Sequence, residues 1–193
     1  DAIGLMVSLI AEGFLHISEI GGLDQRVLPG QPVTVHGRDD IPGVIVQPPG
    51  HLLHPEIGDN PVPLEYLLVD TGMTAREVER KVRVGDLISF AQEPIELGKE
   101  ILAGHSLDNR ASVTALTHCL QVLSKRAHTW DVWAVATVQE EETMAGALTS
   151  AYQLNPQLAV AIDVTWAQGP DTPKHKAFPL NKGITLGWGP NIH

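Results

Sequence analysis

The sequence holds a single cysteine, Cys119, among 193 residues. An intrachain disulfide is therefore excluded, and so is a zinc site built on several thiolates. No run of about 18 apolar residues exists, which excludes a membrane-spanning helix. Basic residues are scarce: 13 Lys+Arg stand against 23 Asp+Glu, for a net charge of −10 at pH 7. That balance argues against a general nucleic-acid surface, which needs clustered Lys and Arg. It is compatible with binding cations, or substrates carrying a free amine, without showing either. Several catalytic signatures are also absent: G-x-S-x-G, H-E-x-x-H and the phosphate loop G-x-x-x-x-G-K-[ST]. Gly187-Trp188-Gly189 lacks a third glycine in register, so a dinucleotide loop has little support.

What is present is enough for a packed core, because 43% of the residues are hydrophobic. The length fits one domain or two small ones. The chain begins at Asp1 rather than Met, and Asp1-Ala2-Ile3-Gly4-Leu5-Met6-Val7 already reads as the end of a strand. It is read as a fragment, so a missing signal peptide says nothing about a parent protein.

Near residue 95 the pattern changes. Before it, short β-type runs alternate with Gly and Pro turns: Leu5–Ile10, Phe14–Ile17, Pro32–His36, Gly43–Gln47, Leu67–Val69 and Leu87–Phe90. Such spacing predicts a small barrel or sandwich. One helix is expected at Thr74–Lys81, where Thr74 and Glu77 form a T-x-x-E capping box. Pro48 to Pro63 contains five prolines and reads as a long loop. After residue 95 the expectation is α/β. Leu107–Leu123 has helical spacing, Val132–Val138 and Leu158–Val164 are apolar strand candidates, and Gly146–Leu154 fits a short helix. Strand, helix, strand predicts neighbouring parallel strands covered on both faces.

Ligands of open α/β sheets gather at the carboxyl ends of the strands. Glu140, Glu141 and Glu142 follow the first apolar run, and Asp163 ends the second, 22 residues beyond Glu141. Asp108 stands at the start of the Leu107–Leu123 helix and could face the same rim. Each acid also has an ordinary explanation. A Glu triplet is commonly a solvated turn, and Asp108 a first-turn acid behind a Ser106 cap. Asp163 is harder to dismiss, because a carboxylate closing an apolar run needs a partner or a metal. Acids converging on one rim repel each other unless cations compensate, which makes a divalent metal site the natural expectation. Cys119 reads as an inert helix residue, and His51, His54 and His105 as loop residues.

Three segments resemble the metal-site segments of the tetrahedral, dinuclear-metal aminopeptidases: Leu107-Asp108-Asn109-Arg110-Ala111, Val138-Gln139-Glu140-Glu141 and Ile162-Asp163-Val164-Thr165. This is the glutamyl and deblocking aminopeptidase group, whose members are often labelled endoglucanase or cellulase M. The opening Asp1–Val7, Gly43-Val44-Ile45, Pro48-Pro49-Gly50-His51-Leu52-Leu53 and Val84-Gly85-Asp86 are similar too, so the likeness spans essentially the whole chain. It implies an aminopeptidase-like α/β catalytic domain, residues 1–5 and 95–193, interrupted by an inserted small β-barrel-like domain at residues 6–94. By the same resemblance Asp108 would bridge two divalent ions, zinc or cobalt, with Glu141 on one and Asp163 on the other. Glu140 would be the general base, and Asp1 would orient a metal-binding histidine. Two metals acidify a water, polarise the scissile carbonyl and receive the substrate's amine, while a separate Glu moves the proton. Peptides with a free N-terminus are the implied substrates. A cytoplasmic, dimer-based homo-oligomer, up to a tetrahedral dodecamer, is the implied state; the charge balance and the lack of a long apolar run argue against nucleic-acid and membrane partners.

The departures are specific. The family's first histidine ligand would stand two residues before Asp1, and its last beyond His193. Ala2 replaces a usual Glu, and Glu142-Thr143-Met144-Ala145 replaces a usual Val-Gly-Leu-Arg. The lead expectation is a metalloaminopeptidase. The second is a catalytically incomplete piece or assembly module, motivated by the missing histidines. A glycoside hydrolase working through a carboxylate pair is the third, and 5% aromatics give it little support.

Overall fold

The computed structural model describes residues 3–58, 60–170 and 172–187. The chain divides into two compact units, Asp1–Leu107 with Val135–Asn155, and Asp108–Ala134 with Pro156–His193.

The first unit is built on a closed antiparallel barrel. Its strands are β1 (Gly4–Ala11), β2 (Phe14–Ile20), β3 (Pro32–His36), β4 (Asp40–Val46), β5 (Leu68–Asp70) and β6 (Leu87–Phe90). They run in the order β1-β2-β5-β4-β3-β6, and β6 closes back onto β1. Period-two alternation sends Leu5, Val7, Leu15, Ile17, Val33, Val35, Ile41, Ile45, Val69 and Ile88 inward, where all are buried. Closure gives every strand of the barrel a paired neighbour on both sides. Each of the six expected β runs overlaps an observed strand, with ends moved by up to three residues.

Local chemistry explains the connections. Ala11 pairs with Phe14 across a two-residue turn, in which Glu12 and Gly13 have φ of 52° and 91°. A type I′ turn needs positive φ at both positions, and Gly supplies the second without a Cβ penalty. The helix α1 (Ala75–Lys81) starts after Thr74, as the capping box predicts. The Glu77 carboxylate accepts from the Thr74 backbone N–H at 2.9 Å and from its hydroxyl at 2.7 Å. Val78 and Val82 from this segment join the barrel's apolar cluster. The described residues of 48–63 form no strand; they hold a short 3-10 turn at Gly50–Leu52 among turns and bends, as a proline-rich loop should.

A two-stranded hairpin, β7 (Ile95–Leu97) and β8 (Ile101–Ala103), follows the barrel. It was not anticipated; its signal was the short apolar pair of segments flanking Gly98, whose φ is 69°. The unit also carries α3 (Ala145–Leu154), close to its expected bounds.

The second unit holds α2 (Leu107–Leu123) apart from its first residue. The expected strands at Val132–Val138 and Leu158–Val164 are corrected by the structure: neither stretch lies in a strand. Apolar composition supplies a preference for burial, but a strand exists only where its backbone meets a hydrogen-bonding neighbour. Without such ladders neither run takes regular secondary structure, and Trp133 (71%) and Val160 (78%) stay exposed. Among the described residues, no helix is long and apolar enough to cross a membrane.

Candidate functional site

Glu140 and Glu141 lie in the first unit on a loop closed by its own backbone. Gly146 N–H donates to the Val138 carbonyl at 3.1 Å, so the chain returns on itself across Gln139–Ala145. A Cβ at residue 146 would fall closer than 3.0 Å to the Val138 backbone, so only glycine permits that approach. Gln139 takes a left-handed φ of 58°, and its carbonyl accepts from Thr143 N–H at 3.0 Å and Met144 N–H at 2.8 Å. Thr143 Oγ1 in turn accepts from Ala145 N–H at 3.2 Å. Glu142 is not a free surface acid: its Oε1 accepts from Gly21 N–H, at the end of β2, at 3.1 Å. Glu140 and Glu141 are exposed, as a loop carboxylate must be to keep its charge without a partner.

In the second unit one side chain, Asn109, binds Asp163 and caps the helix that follows Asp108. Asp108 and Asn109 have non-helical backbone (ψ of 107° and 52°), and their peptide is cis. The non-helical ψ values place the start of regular helix after Asn109. Asn109 is the cap, its Oδ1 accepting from Ser112 N–H at 3.0 Å. Its Nδ2 donates the other way, to Asp163 Oδ1 at 2.7 Å and to the Ile162 carbonyl at 3.3 Å. Val164 N–H adds a second bond to Asp163 Oδ1 at 2.8 Å. A single carboxamide thus joins the start of α2 to the end of the Leu158–Val164 run. It spends Oδ1 of Asp163 on protein donors; among the described residues Oδ2 and the Asp108 carboxylate accept no hydrogen bond. Sequence reading had given Asn109 no role. Its signal was an Asn just before an apolar-periodic helix, the ordinary mark of an N-cap.

The other expected positions are less engaged. Asp1 lies outside the described residues. His105 Nδ1 is 3.0 Å from Ser106 Oγ, and its ring meets Phe90 edge-on at 6.2 Å, as a loop histidine would. His54 stands 3.7 Å from Glu56 and is exposed. Among the described residues, no three His, Cys, Asp or Glu side chains come together as a metal-holding group.

The sequence model of a family described as M42 glutamyl aminopeptidase matches residues 1–192. The lysyl aminopeptidase of Pyrococcus furiosus is 32% identical over 200 residues, which cover 100% of this chain and 57% of that one. Among solved structures, aminopeptidase APDkam598 from the archaeon Desulfurococcus kamchatkensis is similar at 38% identity and a TM-score of 0.82, over 98% of this chain and 51% of that one. The TET1 peptidase of Pyrococcus horikoshii, described as assembling into a tetrahedron or a large octahedral shell, is similar at 32% identity and a TM-score of 0.78, over 88% and 52%. The chain spans about half the length of the curated relatives it matches.

Proposed function

The chain belongs to the M42 glutamyl aminopeptidase family, and from that premise we propose that it supplies the carboxylate part of a dinuclear metalloaminopeptidase site acting on peptides with a free N-terminus. The observation that carries this reading is the Asn109 carboxamide. By taking up Oδ1 of Asp163 and capping α2 next to Asp108 in the chain, it orients the Asp163 carboxylate and leaves its Oδ2 for a cation. Oxygen donors of this kind suit divalent ions, and Glu141 is the third of the set. The fit is partial: the two imidazoles implied by the resemblance have no counterpart that the sequence identifies within residues 1–193. When bound, the metal pair would supply electrophilic activation of a water and of the scissile carbonyl.

The chain's own residues do the rest. Glu140, exposed on a rigid turn and adjacent to Glu141, holds a proton at its carboxylate and passes it to the departing amine. Adjacent residues can send their side chains in different directions, which lets Glu140 serve as base beside Glu141 as ligand. The −10 net charge favours approach of a substrate carrying a free ammonium. We place the inserted barrel-like domain at residues 6–94, and we propose a cytoplasmic homo-oligomer by analogy with the assemblies described for the TET1 peptidase.

A second reading has its own observation. Oxygen-only donors, with no three-residue group among the described residues, fit an assembly module or an incomplete catalytic piece. Zinc or cobalt titration followed by calorimetry, together with release of N-terminal residues from short peptides, separates the two. Stoichiometric two-metal binding with turnover supports the enzyme. In that case Glu140→Gln keeps the metal and lowers turnover by about 10²-fold or more. Near-normal activity in Glu140→Gln would refute the base assignment, and absence of metal binding supports the module.

A further inference from the structure

On the outer face of the barrel, three side chains from three strands form a hydrogen-bonded relay. His36 ends β3, Asp40 begins β4 and Ser89 lies on β6. His36 Nδ1 is 2.8 Å from Asp40 Oδ1, and His36 Nε2 is 2.8 Å from Ser89 Oγ. An ionised carboxylate only accepts, so the Nδ1 proton points to Asp40 and Nε2 is left to accept the Ser89 hydroxyl proton. That tautomer is the one a serine nucleophile requires.

The ladder holds the groups in place. His36 pairs directly with Asp40 on one side and with Leu87 on the other, and Ser89 is two residues further along β6 on the same face. Their inward neighbours Val35, Ile41 and Ile88 are buried in the barrel core. The imidazole is therefore set between acid and hydroxyl by a closed sheet rather than by a mobile loop. It is also reachable, with side-chain exposures of 42% for His36 and 73% for Asp40.

We propose that Asp40, His36 and Ser89 form an acyl-accepting serine site on the barrel, separate from the carboxylate site and independent of metal. Its substrates are activated acyl esters. Ser89 Oγ attacks the ester carbonyl and the Oγ–C bond forms. The C–O bond to the leaving group breaks, and the leaving alkoxide or phenolate departs with the electron pair. The hydroxyl proton passes to His36 Nε2 and from there to solvent. Water, deprotonated by the same nitrogen, then releases the acid and restores the serine.

The test is incubation of the chain with p-nitrophenyl acetate in the presence of a chelator, read by p-nitrophenolate release and by peptide mapping of the acetyl group. Acetylation of Ser89 is expected, with none at this position in Ser89→Ala. His36→Ala slows it by about 10²-fold or more, the ordinary contribution of a positioned general base. Asp40→Asn slows it as well. Amide hydrogen exchange of β3 and β6 verifies that each variant keeps the barrel. An unmodified Ser89 in the parent chain overturns the proposal. So does an unchanged rate in His36→Ala with a protected barrel, or loss of Ser89 acetylation on adding the chelator.

Discussion

Ile45 and Ile101 are the same side chain in opposite circumstances. Ile45 is 0% exposed at the centre of the barrel cluster, paired with Val69 on β5, whereas Ile101 is 53% exposed on the β7–β8 hairpin. Ile45→Ala removes three carbons from the core, worth about 2.4 kcal/mol at about 0.8 kcal/mol each. The surrounding cluster is Val, Leu and Ile on a closed barrel, so it collapses into the space only in part. The cavity adds to the transfer loss and places the total at about 3–5 kcal/mol. Ile101→Ala removes half-solvated atoms without a cavity, and its effect is about 1 kcal/mol or less. Tryptophan fluorescence does not read the barrel, because the described tryptophans Trp130, Trp133 and Trp166 all fall in the second unit's residue ranges and the barrel strands contain none. Amide hydrogen exchange of β3, β4 and β5 reads the barrel directly. A loss of about 3 kcal/mol raises its open population by about 10²-fold. Equal acceleration by the two substitutions, or none in Ile45→Ala, would refute the core assignment.

Two further outcomes are expected. The Arg26 guanidinium, hydrogen-bonded to Asp24, lowers that carboxyl's pKa to about 2 from an ordinary 3.8. A depressed folded value means stability that is present above the unfolded pKa and lost as pH falls through about 2. A carboxyl-carbon NMR titration should show this midpoint and its return toward the ordinary value in Arg26→Ala; a midpoint near 3.8 in the parent chain would contradict the pairing. Asn109→Asp keeps a good helix cap but sets a second carboxylate where Asn109 now donates to Asp163 at 2.7 Å. The second unit should lose about 1 kcal/mol or more in urea unfolding followed by tryptophan emission, with partial recovery in high salt. An unaffected unfolding midpoint would remove Asn109 from the site.

Much of the barrel was legible from residues alone, because alternation, turn glycines and the Thr74–Glu77 cap are local signals that the closed sheet then satisfies. Val132–Val138 and Leu158–Val164 misled for a related reason. Their apolar runs report a capacity for burial, while pairing is settled by distant backbone. The candidate acids were readable as a motif, and Asn109 was visible within it without its function. Its bond to Asp163 crosses 54 positions, which no spacing rule covers.

By itself the sequence determined the family, the barrel's strands, its inward set of Val, Leu and Ile, and the carboxylates available for chemistry. Those properties follow from side-chain type and near-neighbour spacing. The tertiary structure decided which polar groups meet: Gly21 with Glu142, Asn109 with Asp163, and His36 between Asp40 and Ser89. Sheet closure and loop return bring such donors and acceptors within about 3 Å of one another, and hydrogen bonding is too short-ranged and directional to be read from chain order.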